Sequence, residues 1–177
     1  MPYTFPENPI EIRSRKTGKF YTFVCASGVQ LGETAVTQIA KVCDEPEIYD
    51  NLFATIFKGK RYSEDNARTF TKLVSEGWRK NRFDWLILNE GPVVGTVGIK
   101  SLDGEIGYWQ SSKHPGVMTV AVQTLCTIAK TVGVPSLWAY VKKSNVPSIK
   151  VLENAGFKLD KELTEMRDDT YGYRIAF

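Results

Sequence analysis

The spacing of apolar and polar positions changes along the chain, and the changes mark out its elements. The run Phe20-Tyr21-Thr22-Phe23-Val24-Cys25 is dense in aromatic and β-branched residues and predicts an extended segment within the first thirty residues. Two helical stretches follow, roughly 33–42 and 47–57, with Pro46 as the break between them. A clearer helix starts at Ser63. Its hydroxyl can cap the first turn, Glu64 and Asp65 suit the positive end, and Ala67, Phe70, Val74 and Trp78 form a stripe at helical spacing.

Three short strands come next, 84–88, 93–100 and 105–110, separated by Asn89-Glu90-Gly91-Pro92 and by Asp103-Gly104. Asp-Gly predicts a two-residue hairpin turn with both central residues at positive φ, so this passage reads as an antiparallel meander. Residues 117–132 are apolar over much of a helical circumference and stop at Gly133. Strand 136–142 sends Leu137, Ala139 and Val141 to one face. The helix after it has Asn145 as its cap and Pro147 in its first turn, and it ends at Gly156 with Phe157 placed for an apolar contact. Segments 157–163 and 171–177 predict a final strand pair. A strand–helix–strand passage inside an otherwise antiparallel chain predicts an α/β fold of the α+β kind. Its sheet is mixed but mostly antiparallel, with helices on both faces. No linker or repeat divides the chain, so residues 1–177 read as one domain.

Composition narrows the classes. At 177 residues, 42% hydrophobic and 24% charged, the chain can bury roughly 70% of its unfolded surface without staples. No apolar run reaches the roughly 18 residues of a membrane span, and the first residues lack the basic and apolar regions of a signal peptide. The expected location is therefore cytoplasmic, with no membrane partner. Cys25, Cys43 and Cys126 are odd in number and widely spaced, which suits reduced core thiols; Cys126 reads as packing. With one histidine, His114, and no C-x-x-C pair, no metal site is expected and a histidine triad is a weak proposal. A net charge of +3 suits an anionic small ligand and gives no strong nucleic-acid signal.

The ordered set Ile106-Gly107-Tyr108-Trp109, Gly116-Val117-Met118-Thr119, Leu137-Trp138-Ala139-Tyr140-Val141, Asn145-Val146-Pro147-Ser148 and Val151-Leu152-Glu153-Asn154-Ala155-Gly156-Phe157 resembles the GNAT superfamily of N-acetyltransferases. It is most similar to the branch of ribosomal-protein N-terminal acetyltransferases. Val94-Gly95-Thr96-Val97-Gly98 fits as well, and the resemblance covers about 33–177. It implies the GNAT acyl-CoA N-acyltransferase fold, acetyl-CoA as co-substrate and no metal. It also implies transfer of an acetyl group to a primary amine, on a protein N-terminus or a small molecule, by direct attack on the thioester.

The resemblance further implies site residues. The phosphate-binding loop between the fourth strand and the next helix corresponds to Ser111-Ser112-Lys113-His114-Pro115-Gly116, where only the last glycine of the family pattern stands. The backbone N–H groups of Gly116, Val117, Met118 and Thr119 would hold the pyrophosphate, helped by the charge of Lys113. A backbone N–H in the stretch Tyr108, Trp109, Gln110 would polarise the thioester carbonyl. Asn145 would hold the pantetheine arm, and the Ser148 hydroxyl would bond the sulfur. Leu152 stands where many relatives carry a tyrosine acid.

Glu105 stands where several members of the family carry a glutamate, so the resemblance implies a general base there; alternation puts Glu105, Gly107 and Trp109 on one face, where a carboxylate beside Trp109 suits that task, and the bland alternative is a solvated residue after a turn. Glu33 is a weaker candidate of the same kind, and His114 weaker still. The rival function is a non-catalytic relative that binds a ligand or partner without using acyl-CoA, and a homodimer is left open.

Overall fold

The structure, a computed structural model, describes residues 3–177. Strand β1 (Ile10–Arg13) and strand β2 (Phe20–Cys25) form an antiparallel hairpin with Ile10 opposite Phe23. After β2 the chain makes helices α1 (Glu33–Cys43), α2 (Pro46–Leu52) and α3 (Glu64–Gly77). Ser63 caps α3 in a reciprocal box with Asn66, which satisfies two backbone donors at its start. Strands β3 (Phe83–Leu88), β4 (Val93–Ile99) and β5 (Ile106–Gln110) complete a five-stranded antiparallel sheet in the order β1-β2-β3-β4-β5.

The long helix α4 (Val117–Thr131) leads to strand β6 (Ser136–Lys142), then helix α5 (Val146–Asn154), strand β7 (Lys158–Asp160), helix α6 (Lys161–Glu165) and strand β8 (Thr170–Ala176). Strands β6, β8 and β7 form a second antiparallel sheet in that order. The two sheets join at one parallel bridge, Glu105 opposite Trp138, which supplies the mixed character that the sequence predicts.

Alternation along the strands sorts the core into two layers. Tyr21, Phe23 and Cys25 of β2 and Phe83, Trp85 and Ile87 of β3 face α4, whose Val117, Ala121, Val122 and Leu125 are fully buried. Val24 and Leu86 face the other way, onto Val36, Ile39 and Val74 of α1 and α3. Helices thus cover both faces of the sheet.

Three local expectations are corrected. The second helix ends at Leu52 rather than Phe57, because Phe53 and Phe57 turn in to pack against Tyr62 (ring centroids 4.6 and 5.6 Å), and Lys58 and Gly59 have positive φ. Pro46 opens that helix in its first turn. The Asp103-Gly104 turn is not a two-residue hairpin. Residues 101–104 form a wider loop closed by the Lys100 N–H donating to the Glu105 carbonyl at 2.7 Å, and of the pair only Gly104 has positive φ. The loop docks on β6, where the Trp138 N–H donates to the Gly104 carbonyl at 3.0 Å, and any side chain at 104 would strike the Ser136 carbonyl. Finally, the closing strand pair is interrupted by α6, which Asp160 starts by accepting the Leu163 N–H at 3.1 Å.

Candidate active site

Strands β5 and β6 touch only at the Glu105–Trp138 bridge and then diverge, β5 staying with β4 and β6 with β8. The Glu105 carbonyl and the Ser111 N–H both bond the β4 side, to Lys100 and Val94. Backbone groups alternate along a strand, so the N–H and C=O of Tyr108 and Gln110 turn to the open side. A cleft of about 490 Å³ fills the gap. Its walls are the end of β5, the loop into α4, the first turns of α4 and α5, and α2 with Glu47 and Ile48.

The start of α4 forms one end of this cleft. Gly116 caps the helix at φ 81° and brings no side chain, so first-turn N–H groups face outward with the positive end of a fifteen-residue helix. Gln110 Oε1 accepts one of them, the Met118 N–H, at 2.8 Å. Two distant segments hold the loop in place. Glu45, the residue before α2, accepts the Ser111 hydroxyl at 2.7 Å and the Ser112 N–H at 2.8 Å. From the β1–β2 turn, the Ser14 hydroxyl donates to the Pro115 carbonyl at 2.9 Å, and Lys16 packs so closely on Gly116 that an added Cβ would lie 2.6 Å from the lysine Cβ.

That turn brings exposed Arg15, Lys16 and Lys19 to the same end of the molecule as exposed Lys113. Among the described residues none of the four forms an ion pair. His114 is half-buried between them: its Nδ1 meets the Tyr21 hydroxyl at 3.1 Å. Burial, then the Lys19 and Lys113 charges, hold its pKa below the ordinary 6.5, against the pull of Glu45.

On the opposite wall, Asn145 Oδ1 accepts the Ser148 N–H at 3.2 Å and caps α5. Tyr108 reaches across from β5, its hydroxyl 2.7 Å from Ser148 Oγ and donating to the Ser148 carbonyl at 3.1 Å. Burial pushes the Tyr108 phenol well above its usual pKa, with the Ser148 bond working in the other direction. Leu152, one turn further along α5, is fully buried in the core and offers nothing to the cleft.

The residues expected from sequence are therefore divided. Tyr108, Trp109, Gln110, Met118, Asn145 and Ser148 line one cleft, and Gly116, Val117 and Thr119 at the start of α4, with Lys113 in the loop before it, stand at one end of it. The Trp109 ring is buried against Phe70, and by the same alternation its backbone N–H and C=O face β4 opposite Thr96, so of the stretch 108–110 only Tyr108 and Gln110 turn backbone groups to the open side. Glu105 is a correction. Lys100 lays its side chain over Gly107, in the space between Glu105 and Trp109, and its ammonium bonds the Glu105 carboxylate at 3.2 Å. The carboxylate is thus paired at the closed end of β5, away from the cleft walls. Glu33 is exposed and bonded to Arg68 at 2.7 Å, which holds its pKa down, and it too is absent from the cleft.

Sequence reasoning missed Glu45, Glu47, the phenol of Tyr108 and the β1–β2 turn. The cations packed into Arg13-Ser14-Arg15-Lys16-Thr17-Gly18-Lys19 were a visible signal; Glu47 carried none beyond opening a predicted helical stretch. Among the described residues no cluster of His, Cys, Asp or Glu could hold a metal ion.

Comparison with known proteins bears on the family and the fold. The sequence model of the acetyltransferase (GNAT) domain family matches residues 30–158. A Bacillus licheniformis protein named as uncharacterized N-acetyltransferase p20 is 30% identical over 122 residues, 64% of this chain and 68% of that one. Mycobacterium smegmatis RimJ, solved with CoA-disulfide, superposes with a TM-score of 0.74 at 20% identity, over 97% of this chain and 88% of its own. RimL, a ribosomal L7/L12 alpha-N-protein acetyltransferase solved with coenzyme A, superposes with a TM-score of 0.70 at 16% identity, over 95% and 98%. Both share the fold.

Proposed function

This chain belongs to the acetyltransferase (GNAT) family, and is thus an N-acetyltransferase with acetyl-CoA as co-substrate; from that premise we propose that its acceptor is the α-amine of a peptide or protein N-terminus. Support comes from the fold shared with RimJ and RimL, the latter named for an alpha-N-protein substrate. The observation that carries the site assignment is the divergence of β5 and β6, which frees backbone donors between a helix N-terminus and Ser148.

The donor set fits the co-substrate. A helix start beside Lys16, Lys19, Arg15 and Lys113 suits several phosphates, and Asn145 with the free edge of β5 suits an arm of amides. Acetyl-CoA supplies an acetyl group activated as a thioester. The backbone N–H of Tyr108 or Gln110 on the open edge donates to the carbonyl oxygen where negative charge develops. The Ser148 hydroxyl bonds the sulfur. Glu47, the carboxylate on the cleft wall, draws the cationic amine and accepts its proton, the task expected of Glu105 from sequence.

The same reading puts the enzyme in the cytoplasm. Its cysteines are free and buried, and no helix among the described residues is long and apolar enough to cross a membrane.

The test is release of free CoA thiol from acetyl-CoA in the presence of short peptides with free or blocked α-amines, with polyamines as competitors. Thiol release confined to free α-amines supports the reading. Release with polyamines alone would move the acceptor to small molecules, and tight acetyl-CoA binding with no release would favour a relative that binds without turnover.

A further inference from the structure

We infer that the Tyr108 phenol directs the hydroxyl hydrogen of Ser148 into the cleft, making Ser148 a donor to the coenzyme A sulfur. This positioning role rests on the reading of Ser148 given above.

The argument is a count of hydrogens. Ser148 Oγ carries one hydrogen and, among the described residues, meets one side chain, Tyr108, at 2.7 Å. The Tyr108 hydroxyl also carries one hydrogen but has two acceptors in reach, Ser148 Oγ and the Ser148 carbonyl at 3.1 Å. Two arrangements satisfy both groups. With the phenol hydrogen on the carbonyl, the serine hydrogen must point at the phenol oxygen and its donor capacity is spent. With the phenol hydrogen on Oγ, the serine hydrogen is released toward the cleft that Ser148 lines. A sulfur in the cleft selects the second arrangement, because only there does it receive a donor while one hydrogen still lies between the two oxygens 2.7 Å apart.

The surroundings hold the pair in place for this switch. The Asn145 side chain fixes the Ser148 backbone at 3.2 Å, so the serine turns its hydroxyl without moving its chain. Tyr108 is anchored on β5 opposite Val97. Burial keeps the phenol protonated, so it remains a donor and does not surrender its hydrogen. Nothing is consumed: the sulfur takes the electron pair of the breaking C–S bond, the amine gives up its proton elsewhere, and both hydroxyls keep their hydrogens.

Equilibrium binding separates this role from a merely structural one. Calorimetric titration with CoA and with desulfo-CoA measures the preference for the sulfur in the wild type, Tyr108→Phe and Ser148→Ala. A preference on the order of 10-fold in the wild type is expected for one hydrogen bond to a thiol with thiolate character. Tyr108→Phe leaves Oγ without its donor and the serine hydrogen undirected, and should reduce the preference severalfold while desulfo-CoA affinity shows that the variant is folded. The double variant should match Ser148→Ala. Replacing Tyr108 by 3,5-difluorotyrosine keeps the packing. It should lose the preference as pH rises through the lowered phenol pKa, because a phenolate draws the serine hydrogen back to itself. If Ser148→Ala removes the preference but Tyr108→Phe and the fluorinated variant leave it unreduced, the proposal is overturned and the serine keeps its role. If Ser148→Ala also leaves it intact, the reading of Ser148 fails and the proposal with it.

Discussion

The carboxylate of Glu45 accepts the hydroxyl of buried Ser111, 66 residues further along the chain, at 2.7 Å. A second oxygen of the same carboxylate takes the Ser112 N–H at 2.8 Å. This pair ties the start of α2 to the loop that leads into α4. Glu45→Ala leaves a buried hydroxyl without an acceptor and should cost about 1–3 kcal/mol in urea unfolding. Glu45→Gln retains an acceptor and should cost less than half of that. Equal losses for the two variants would mean that the charge, not the hydrogen bond, holds the loop.

The β1–β2 turn makes a second contact with the same loop through Ser14 and Lys16. Replacing Arg15, Lys16 and Lys19 together by alanine should weaken acetyl-CoA binding by roughly 10-fold or more at low salt, and much less at high salt, where exposed charges are screened. Titration over a salt series, with dephospho-CoA as the comparison, reads this directly. An affinity that ignores both salt and the substitutions would remove the turn from the site.

Glu105 and Glu47 should separate in kinetics. Glu105→Gln loses a pair with Lys100 outside the cleft, so kcat/KM should stay within about threefold of wild type. Glu47→Gln should lower it by about 100-fold, the smaller end of what a general base contributes. The reverse ranking would restore Glu105 as the base and require Lys100 to move.

His114 gives the protein an acid-side sensitivity. Its folded pKa lies below 6.5 because burial and the Lys19 and Lys113 charges disfavour the imidazolium. The unfolded chain therefore binds the proton more readily. Stability is fully present above pH 6.5 and falls as the pH drops from there through the lower folded value. Thermal unfolding scans should show this slope in the wild type and a flatter one in His114→Asn. The same slope in both would assign the acid sensitivity to carboxylates instead.

Leu152 tests how the α5 position is used. Its side chain is wholly inside the core, so Leu152→Tyr forces a larger ring into packed space and should destabilise the fold by about 1–3 kcal/mol. It should bring no gain in kcat. A stable variant with faster turnover would show that this position can be turned toward the cleft.

Much of this molecule could be read from the chain. The Ser63 cap, the 136–142 strand, the Gly133 stop and the Asn145 cap are local events, set by periodicity and by backbone groups that neighbouring residues must satisfy. The ordered motifs from Ile106 to Phe157 carried the family, and Asn145 and Ser148 came with them. What failed depended on contacts between distant segments. The short β1 strand buries only Ile12 and gains its meaning by pairing with β2, which aims a basic turn at Gly116. Alternation put Glu105 on the same face as Trp109, but could not show that Lys100 occupies the space between them above Gly107. Nor could spacing show that Tyr108 and Ser148, 40 residues apart, share a hydrogen bond, or that Glu47 closes the far wall. The sequence determined the elements and the backbone donors, because those follow from bonds within a few residues. Only the tertiary structure decided which charges and hydroxyls meet in the cleft, because their neighbours are set by how two sheets part at Glu105 and Trp138.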